Sequence, residues 1–377
     1  MDPVALVLIG SRHVNKRTCR FVESLRASGF DPVVLAVPRR SWSTSGIEDP
    51  ALLGRRGAVT LRGNESRARR VHRPDLVVCM HWSVLPVAMF LRVVWRCRVL
   101  YDEHDHYELL TLEGRGPTWV KRVRASLIGR VHAWCLPHVD VVTCIRLTDG
   151  RLEKHLRSWS ETVLELHNYP ARRWGQQGRH RSGSDGSLAL VYVGGIWQEK
   201  GCEVMLDAFL RLADEPSLPP MTLHVFGQGD PAIERRLDAA GGVTFHGLSS
   251  HEEIVSFLTS HDCLGLVLLD ATPRYSMVST NCHKLYEYLA AGVPVLATEV
   301  GDLPDIVADL DGGWTLPAGF DAATLADVLR EIAGQPDEIR RRGAEAAAAV
   351  ERNALWWEAE WQKVEALGVL GRRGGDV

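Results

Sequence analysis

The chain has 377 residues, 45% apolar and 24% charged, with a net charge of −3. This composition excludes a disordered, collagenous or coiled-coil protein, and the length suits two domains. No apolar run nears the ~20 residues that cross a bilayer. The eight cysteines include no C-x-x-C pair, which points to reduced thiols in a cytoplasmic protein rather than to disulfides or a zinc site.

Charge is divided unevenly. Residues 1–182 carry 30 Lys+Arg against 17 Asp+Glu, and residues 183–377 carry 14 against 30, giving +13 and −16. Halves of opposite sign indicate domains with different ligands.

The amino terminus lacks the features of a secretory signal, because its apolar run is short and Asp2 precedes it. That run, 4–9, reads as a buried strand. Helical spacing over 18–28 follows, stopped by Gly29, and then a strand over 32–37. Further strands are predicted at 75–80, 98–101, 139–145 and 162–166, with helices between several of them. This alternation implies βαβ units and a mostly parallel sheet.

Residues 171–187, ARRWGQQGRHRSGSDGS, are polar, rich in Gly, Ser and Arg, and read as a linker. The alternation then restarts with a strand at 188–193, a helix at 202–213, and strands at 221–226, 243–245, 263–269 and 293–297. The end is helical from 323 to about 367. The chain thus reads as a first domain over 1–170, a linker over 171–187, a second domain over 188–350 and a terminal helix over 351–377. In open α/β sheets ligands sit beyond the carboxyl ends of the strands, so two such domains facing each other would make a cleft.

Chemistry concentrates at strand ends. In Val191-Tyr192-Val193-Gly194-Gly195-Ile196-Trp197-Gln198-Glu199-Lys200-Gly201 a strand passes through glycines into a helix. Glycine backbones let N–H groups approach a phosphate, and Lys200 adds a charge. An ordinary strand-to-helix turn is the other reading. The run is neither G-x-G-x-x-G nor a Walker loop, which leaves dehydrogenase and P-loop readings without support.

A second segment, Asn281-Cys282-His283-Lys284-Leu285-Tyr286-Glu287, opens a short helix capped by Gly292. Lys284 and the amides of His283 to Leu285 stand where a diphosphate would be held. Glu287, one turn on, suits a ribose diol. A surface Lys/Glu pair is the alternative.

In the first half, His81 and the run Asp102-Glu103-His104-Asp105-His106 end two strands. A metal at this cluster lacks an identifiable third ligand. The loop after the first strand holds Gly10, Arg12, Lys16 and Arg17, a charged loop for phosphate or an anionic acceptor, or simply a solvated one. Residues 118–131 form a basic amphipathic helix, whose first reading is packing on the sheet with its basic side in water. The basic half carries no recognised nucleic-acid motif.

The pairing of GGIWQEKG with HKLYEYLAAGVPVLAT resembles the retaining glycosyltransferases of the GT-B fold, the large family that includes sucrose synthase and the phosphatidylinositol mannosyltransferases. Phe226-Gly227-Gln228-Gly229, Val243-Thr244-Phe245-His246-Gly247 and Asn353-Ala354-Leu355-Trp356-Trp357 fall in that family's order. The resemblance implies two Rossmann-like, doubly wound domains, with a carboxyl-terminal helix crossing back to the first. It implies that Gly194, Gly195, Lys200, His283, Lys284 and Leu285 hold the diphosphate of a nucleotide-sugar and that Glu287 holds the ribose. His104 would lie near the transferred sugar, with Asp105 and Glu103 orienting the acceptor or taking its proton. His81, Gly10 and Arg12 would line the acceptor or phosphate loop.

Two positions depart from the family pattern. Gly195 stands where an arginine is frequent, and Ser279 stands where a first glutamate is frequent, which makes Ser279 and Asn281 candidate sugar contacts. The expected activity is transfer of a sugar from a nucleoside-diphosphate sugar to a small-molecule, saccharide or lipid-linked acceptor, with retention and with neither metal nor cofactor. Such an enzyme would serve bacterial glycoconjugate or secondary-metabolite synthesis. It would be cytoplasmic, with peripheral contact at the inner membrane face as a variant through helix 118–131. Alternatives are a nucleotide-sugar 2-epimerase or a catalytically degenerate nucleotide-binding scaffold.

Overall fold

The computed structural model describes residues 3–10, 15–36, 59–60, 73–114, 116–176, 186–213 and 215–371. Arg12 and positions 177–185 of the expected linker lie outside them. The chain divides into two compact units, Met1–His167 with Trp357–Val377, and Asn168–Trp356.

The first unit carries strands β1 (Val4–Ile9), β2 (Asp31–Ala36), β3 (Val59–Thr60), β4 (Leu76–Cys79), β5 (Arg98–Glu103), β6 (Val141–Cys144) and β7 (Val163–Glu165). Its helices are α1 (Lys16–Ala27), α2 (Leu85–Trp95), α3 (Tyr107–Glu113), α4 (Thr118–Cys135) and α5 (Arg151–Leu156). The strands pair in the order β3-β2-β1-β4-β5-β6-β7, all parallel. The order reverses direction between β1 and β4, the doubly wound pattern whose switch point is the usual ligand crevice. Because crossovers are right-handed, the β1–β2 helix covers one face of the sheet, and α2 and α4 cover the other.

On the α1 face, Phe21 and Leu25 pack on Val7 and Ile9 together with Trp357, Trp361 and Val364 of the chain's last helix, Trp357–Ala366. Burial of each such side chain stabilises by ~1.5–3 kcal/mol. Trp357 and Trp361 also donate their indole N–H groups to Ser24 Oγ at 2.8 Å and Ser28 Oγ at 3.0 Å. These bonds fix the orientation of the helix.

The second unit begins with α6 (Arg173–Gln176) and carries strands β8 (Leu188–Val193), β9 (Met221–Phe226), β10 (Val243–Gly247), β11 (Cys263–Val267), β12 (Val295–Thr298) and β13 (Gly313–Leu316). Its further helices are α7 (Cys202–Leu212), α8 (Pro231–Asp238), α9 (His251–Ser260), α10 (His283–Ala290), α11 (Leu303–Asp309), α12 (Ala322–Ala333) and α13 (Pro336–Arg352). The parallel order is β10-β9-β8-β11-β12-β13, again reversing beside the first strand of the unit.

Several expectations are adjusted. The units meet at 167/168 and 356/357 rather than at 170 and 350. The expected linker starts inside the second unit, because Trp174 is 1% exposed and donates its indole N–H to the Glu287 carbonyl at 2.6 Å. A local Arg, Gly and Gln composition concealed this one buried aromatic. The helical end is three helices, broken first at Gly334 and Gln335 and again where Ala354 takes a left-handed φ of 49°. β13 has no counterpart among the strands expected from the sequence, because its Gly and Thr dilute the apolar signal.

Candidate functional site

In the second unit the site starts at the end of β8. Gly194 has a φ of 146° and lies so close to Gly227 that a Cβ on Gly227 would stand 1.9 Å from the Gly194 carbonyl oxygen. The loop is therefore built by backbone against backbone, which needs glycine on both sides. Tyr192 donates its hydroxyl to Gly195 O at 2.8 Å and pins the second glycine. Lys200 folds back over this turn, with Nζ 3.3 Å from the place a Gly195 Cβ would occupy.

Helix α10 delivers the other lysine. Tyr288 anchors the helix to β8 by accepting the Val193 N–H at 2.8 Å and donating to Val191 O at 3.0 Å. At its first turn Lys284 places Nζ 4.3 Å from the Tyr192 ring centroid. That Nζ is buried and has no hydrogen-bond partner among the described residues. Burial lowers the Lys284 ammonium to about 8, and Lys200 nearby pushes the same way. Lys200 is lowered too, first by burial and then by Arg274. The two expected lysines thus converge on one glycine turn, at the switch point beside β11.

The remaining expected residues are placed less uniformly. His283 is half-buried, and Leu285 is fully buried, so Leu285 offers a ligand only its amide. Glu287 is 3% exposed, one turn beyond Lys284. Ser279 is 1% exposed. Asn281, half-buried, accepts the Ser279 N–H with its Oδ1 at 2.8 Å, so the two residues are tied within one loop. Arg274 was missed, because it lies in a turn-prone stretch with no motif; it is exposed and its charge reaches Lys200.

In the first unit Gly10, His81 and His104 end β1, β4 and β5, again at the switch point. A Cβ on Gly10 would stand 2.7 Å from His81 Nδ1, so the glycine makes room for that ring. His81 Nδ1 accepts the Ser83 N–H at 3.2 Å, and the ring meets that of Tyr107 at 4.5 Å. Tyr107 Oη lies 2.8 Å and Asn15 Nδ2 3.4 Å from His104 Nε2. Two donors on Nε2 make it the acceptor and leave the proton on Nδ1, which faces Asp102 Oδ2 at 3.8 Å. Burial lowers the His104 pKa, so the ring is neutral near pH 7.

Asp102 is fully buried and is held by both Arg17 donors, at 2.7 and 2.8 Å, and by Thr143 Oγ1 at 2.7 Å. Sequence reading gave Asp102, Asn15 and Tyr107 no role of their own; for Asp102 the strand period of two was the available signal, since Asp102 and His104 share a face. The same alternation corrects Glu103, which is 1% exposed and turned to Tyr101 and His132 on the opposite face. Asp105 is half-buried next to this group. His106 packs beside His155, with ring centroids 5.0 Å apart. Among the described residues no group of three or more His, Cys, Asp or Glu is arranged to hold a metal.

Residues 187–335 match the family model described as glycosyl transferases group 1. That segment is similar to the glycosyl transferases group 1 family, over less than half of the chain. Its curated relatives include the alpha-D-kanosaminyltransferase of Streptomyces kanamyceticus, 29% identical over 45% of this chain and 42% of that protein. The D-inositol 3-phosphate glycosyltransferase of Streptomyces scabiei is 32% identical over 44% of this chain and 38% of its own length. The match thus spans about two fifths of these relatives.

Among solved structures, sucrose-phosphate synthase from Thermosynechococcus elongatus superposes with a TM-score of 0.62 at 19% identity, covering 97% of this chain and 98% of that one. Anabaena Alr3699/HepE, solved with UDP and glucose, gives 0.65 at 15% identity over 97% and 98%. Likeness of this extent shows the fold, GT-B, with the group 1 segment lying in the second unit.

Proposed function

We propose that the chain is a glycosyltransferase that moves a sugar from a nucleoside-diphosphate sugar to an acceptor. The observation that carries this reading is the pair of lysines over one glycine turn. A buried ammonium without an acceptor is costly, and a diphosphate supplies the missing negative charge. The same pair neutralises the leaving nucleoside diphosphate as its charge develops, a role that otherwise falls to a divalent metal. Glu287 is the ribose ligand in this reading. The names of the curated relatives and the UDP in the Anabaena structure support it.

The acceptor belongs to the first unit, where neutral His104 presents Nε2 in a ring of Tyr107, Asn15 and His81, with Asp105 alongside. Retention at the anomeric carbon follows the family resemblance, with the departing phosphate assisting removal of the acceptor proton. Calorimetry with UDP, GDP, ADP and dTDP tests the donor half. Lys200→Ala, Lys284→Ala and Glu287→Ala are each expected to weaken the preferred nucleotide at least ~10-fold, the size of a lost charge-assisted contact. Wild-type affinity in all three variants overturns the assignment. Undiminished transfer in EDTA and an NMR spectrum showing the donor's anomeric configuration in the product check the other two points.

A further inference from the structure

Helix α4 carries two apolar stripes. One, Ala125, Ile128, His132 and Cys135, is buried against the unit. The other lies on the far side of the helix and faces solvent, with Trp119 69%, Val123 62%, Leu127 50% and Trp134 62% exposed. Helix α2, packed alongside α4 on the same face of the sheet, repeats the pattern. Its Leu85, Ala88 and Met89 are buried, whereas Phe90 is 66% and Val93 77% exposed. Ten of the fourteen exposed large apolar side chains among the described residues fall between positions 87 and 134. A soluble helix normally turns one apolar stripe inward and leaves its other side polar. Contiguous exposure on this scale marks a contact surface.

Charge selects the partner. Over α2 and α4 together the sequence has five Lys and Arg (Arg92, Lys121, Arg122, Arg124 and Arg130) and no Asp or Glu. Arg122, Arg124 and Arg130 are exposed around the apolar stripe. Tryptophans stand near both ends of α4, where amphipathic aromatic rings suit the headgroup level. Neither helix is long and apolar enough to cross a membrane. An apolar stripe rimmed by cations, with tryptophan anchors, fits a surface that is anionic outside and hydrocarbon beneath.

We infer that the exposed face of α2 and α4 docks the protein on an anionic lipid bilayer, with Phe90, Val93, Trp119 and Val123 entering the headgroup boundary and Arg122 and Arg124 contacting lipid phosphates. The sequence leaves two readings of residues 118–131, a basic side in water or contact with a membrane face, and the exposed apolar stripe of α4 with its continuation on α2 supports the second. The inference is independent of the glycosyltransfer reading, because none of these residues belongs to either candidate site.

Flotation of the full chain with vesicles tests it. The wild type is expected to float with phosphatidylcholine vesicles containing about 30 mol% phosphatidylglycerol and not with phosphatidylcholine alone, and to be released by high salt. Phe90→Ser with Val93→Ser, Trp119→Ser with Val123→Ser, and Arg122→Glu with Arg124→Glu should each lower the bound fraction at least ~5-fold, with melting temperature and nucleotide binding unchanged. The inference is overturned if the wild type stays unbound on anionic vesicles, or if folded variants float as the wild type does. It is also overturned if sedimentation shows a dimer that the same substitutions dissociate, which would assign the face to a second copy of the chain.

Discussion

The Lys284 ammonium stands 4.3 Å from the centroid of the Tyr192 ring and meets no hydrogen-bond acceptor among the described residues. A cation–π contact contributes ~0.5–2 kcal/mol, less than burial of the charge costs, which is why the pKa falls to about 8. The group is kept charged near pH 7 at the expense of the free protein's stability. Lys284→Met should therefore stabilise the free protein, by about 1–3 kcal/mol or a few °C, while nucleotide binding is lost. The sign follows from the lowered pKa: the cost is full below about 8 and fades as pH rises towards the ordinary lysine value of 10.5. Differential scanning calorimetry at pH 7 and pH 10 should show the gain shrinking. A destabilised variant at pH 7 would refute this account.

If the proposed donor site binds a nucleotide, the same lysine makes that binding depend on pH. Bound diphosphate favours the ammonium, so binding above pH 8 takes up a proton, and affinity should fall by up to ~10-fold per pH unit there. Lys200 is also lowered and adds in the same direction, while Cys282 and Cys202 nearby favour the charged lysine only as thiolates, which burial pushes to higher pH. Calorimetry at pH 8.5 in two buffers of different ionisation heat measures the uptake directly. Equal heats in both buffers would mean that Lys284 does not meet the diphosphate.

Much of this donor geometry was legible in the sequence, because it rests on local signals. β8 and β9 begin and end where apolar runs meet Gly194 and Gly227, and Lys284 follows the polar turn that opens α10. The burial of Ser279 and the stacking of Lys284 on Tyr192 were not legible, since both depend on which side of a loop meets a distant strand. Trp174 is the clearest case. Its neighbours in sequence are polar, and only the fold brings it under α10. Charged residues in the first unit were misjudged for a related reason. Arg17 reads as part of a solvated basic loop, yet it is 2% exposed because Asp102 and Leu166 O receive it.

The Arg17–Asp102 pair should behave as a buried ion pair whose halves cannot be removed separately. Asp102→Leu alone takes this carboxylate from the buried guanidinium, and Arg17→Met alone leaves the carboxylate facing Thr143 Oγ1 and His104 Nδ1. Each single change is expected to cost ~3–5 kcal/mol, whereas the double variant should recover most of that loss. Urea unfolding of the four proteins checks the cycle. Additive losses would show that the two groups contribute independently.

Tyr107 gives a sharper test of the proposed acceptor site. Its hydroxyl and the Asn15 amide both donate to His104 Nε2 and thereby favour the neutral ring. Asp102 and Asp105 pull the other way, Arg17 reinforces neutrality, and burial is the largest contribution. Tyr107→Phe removes one donor, so the His104 pKa should rise towards its ordinary 6.5. If His104 must be neutral to assist the acceptor hydroxyl, the acidic limb of the kcat/KM profile for sugar transfer moves to higher pH in the variant. Activity at pH 8 should then fall only severalfold, as expected for one lost neutral hydrogen bond of ~0.5–1.5 kcal/mol. A purely structural Tyr107 would lower the rate at every pH and leave the limb where it was, and His104→Gln, which cannot titrate, should abolish the limb altogether.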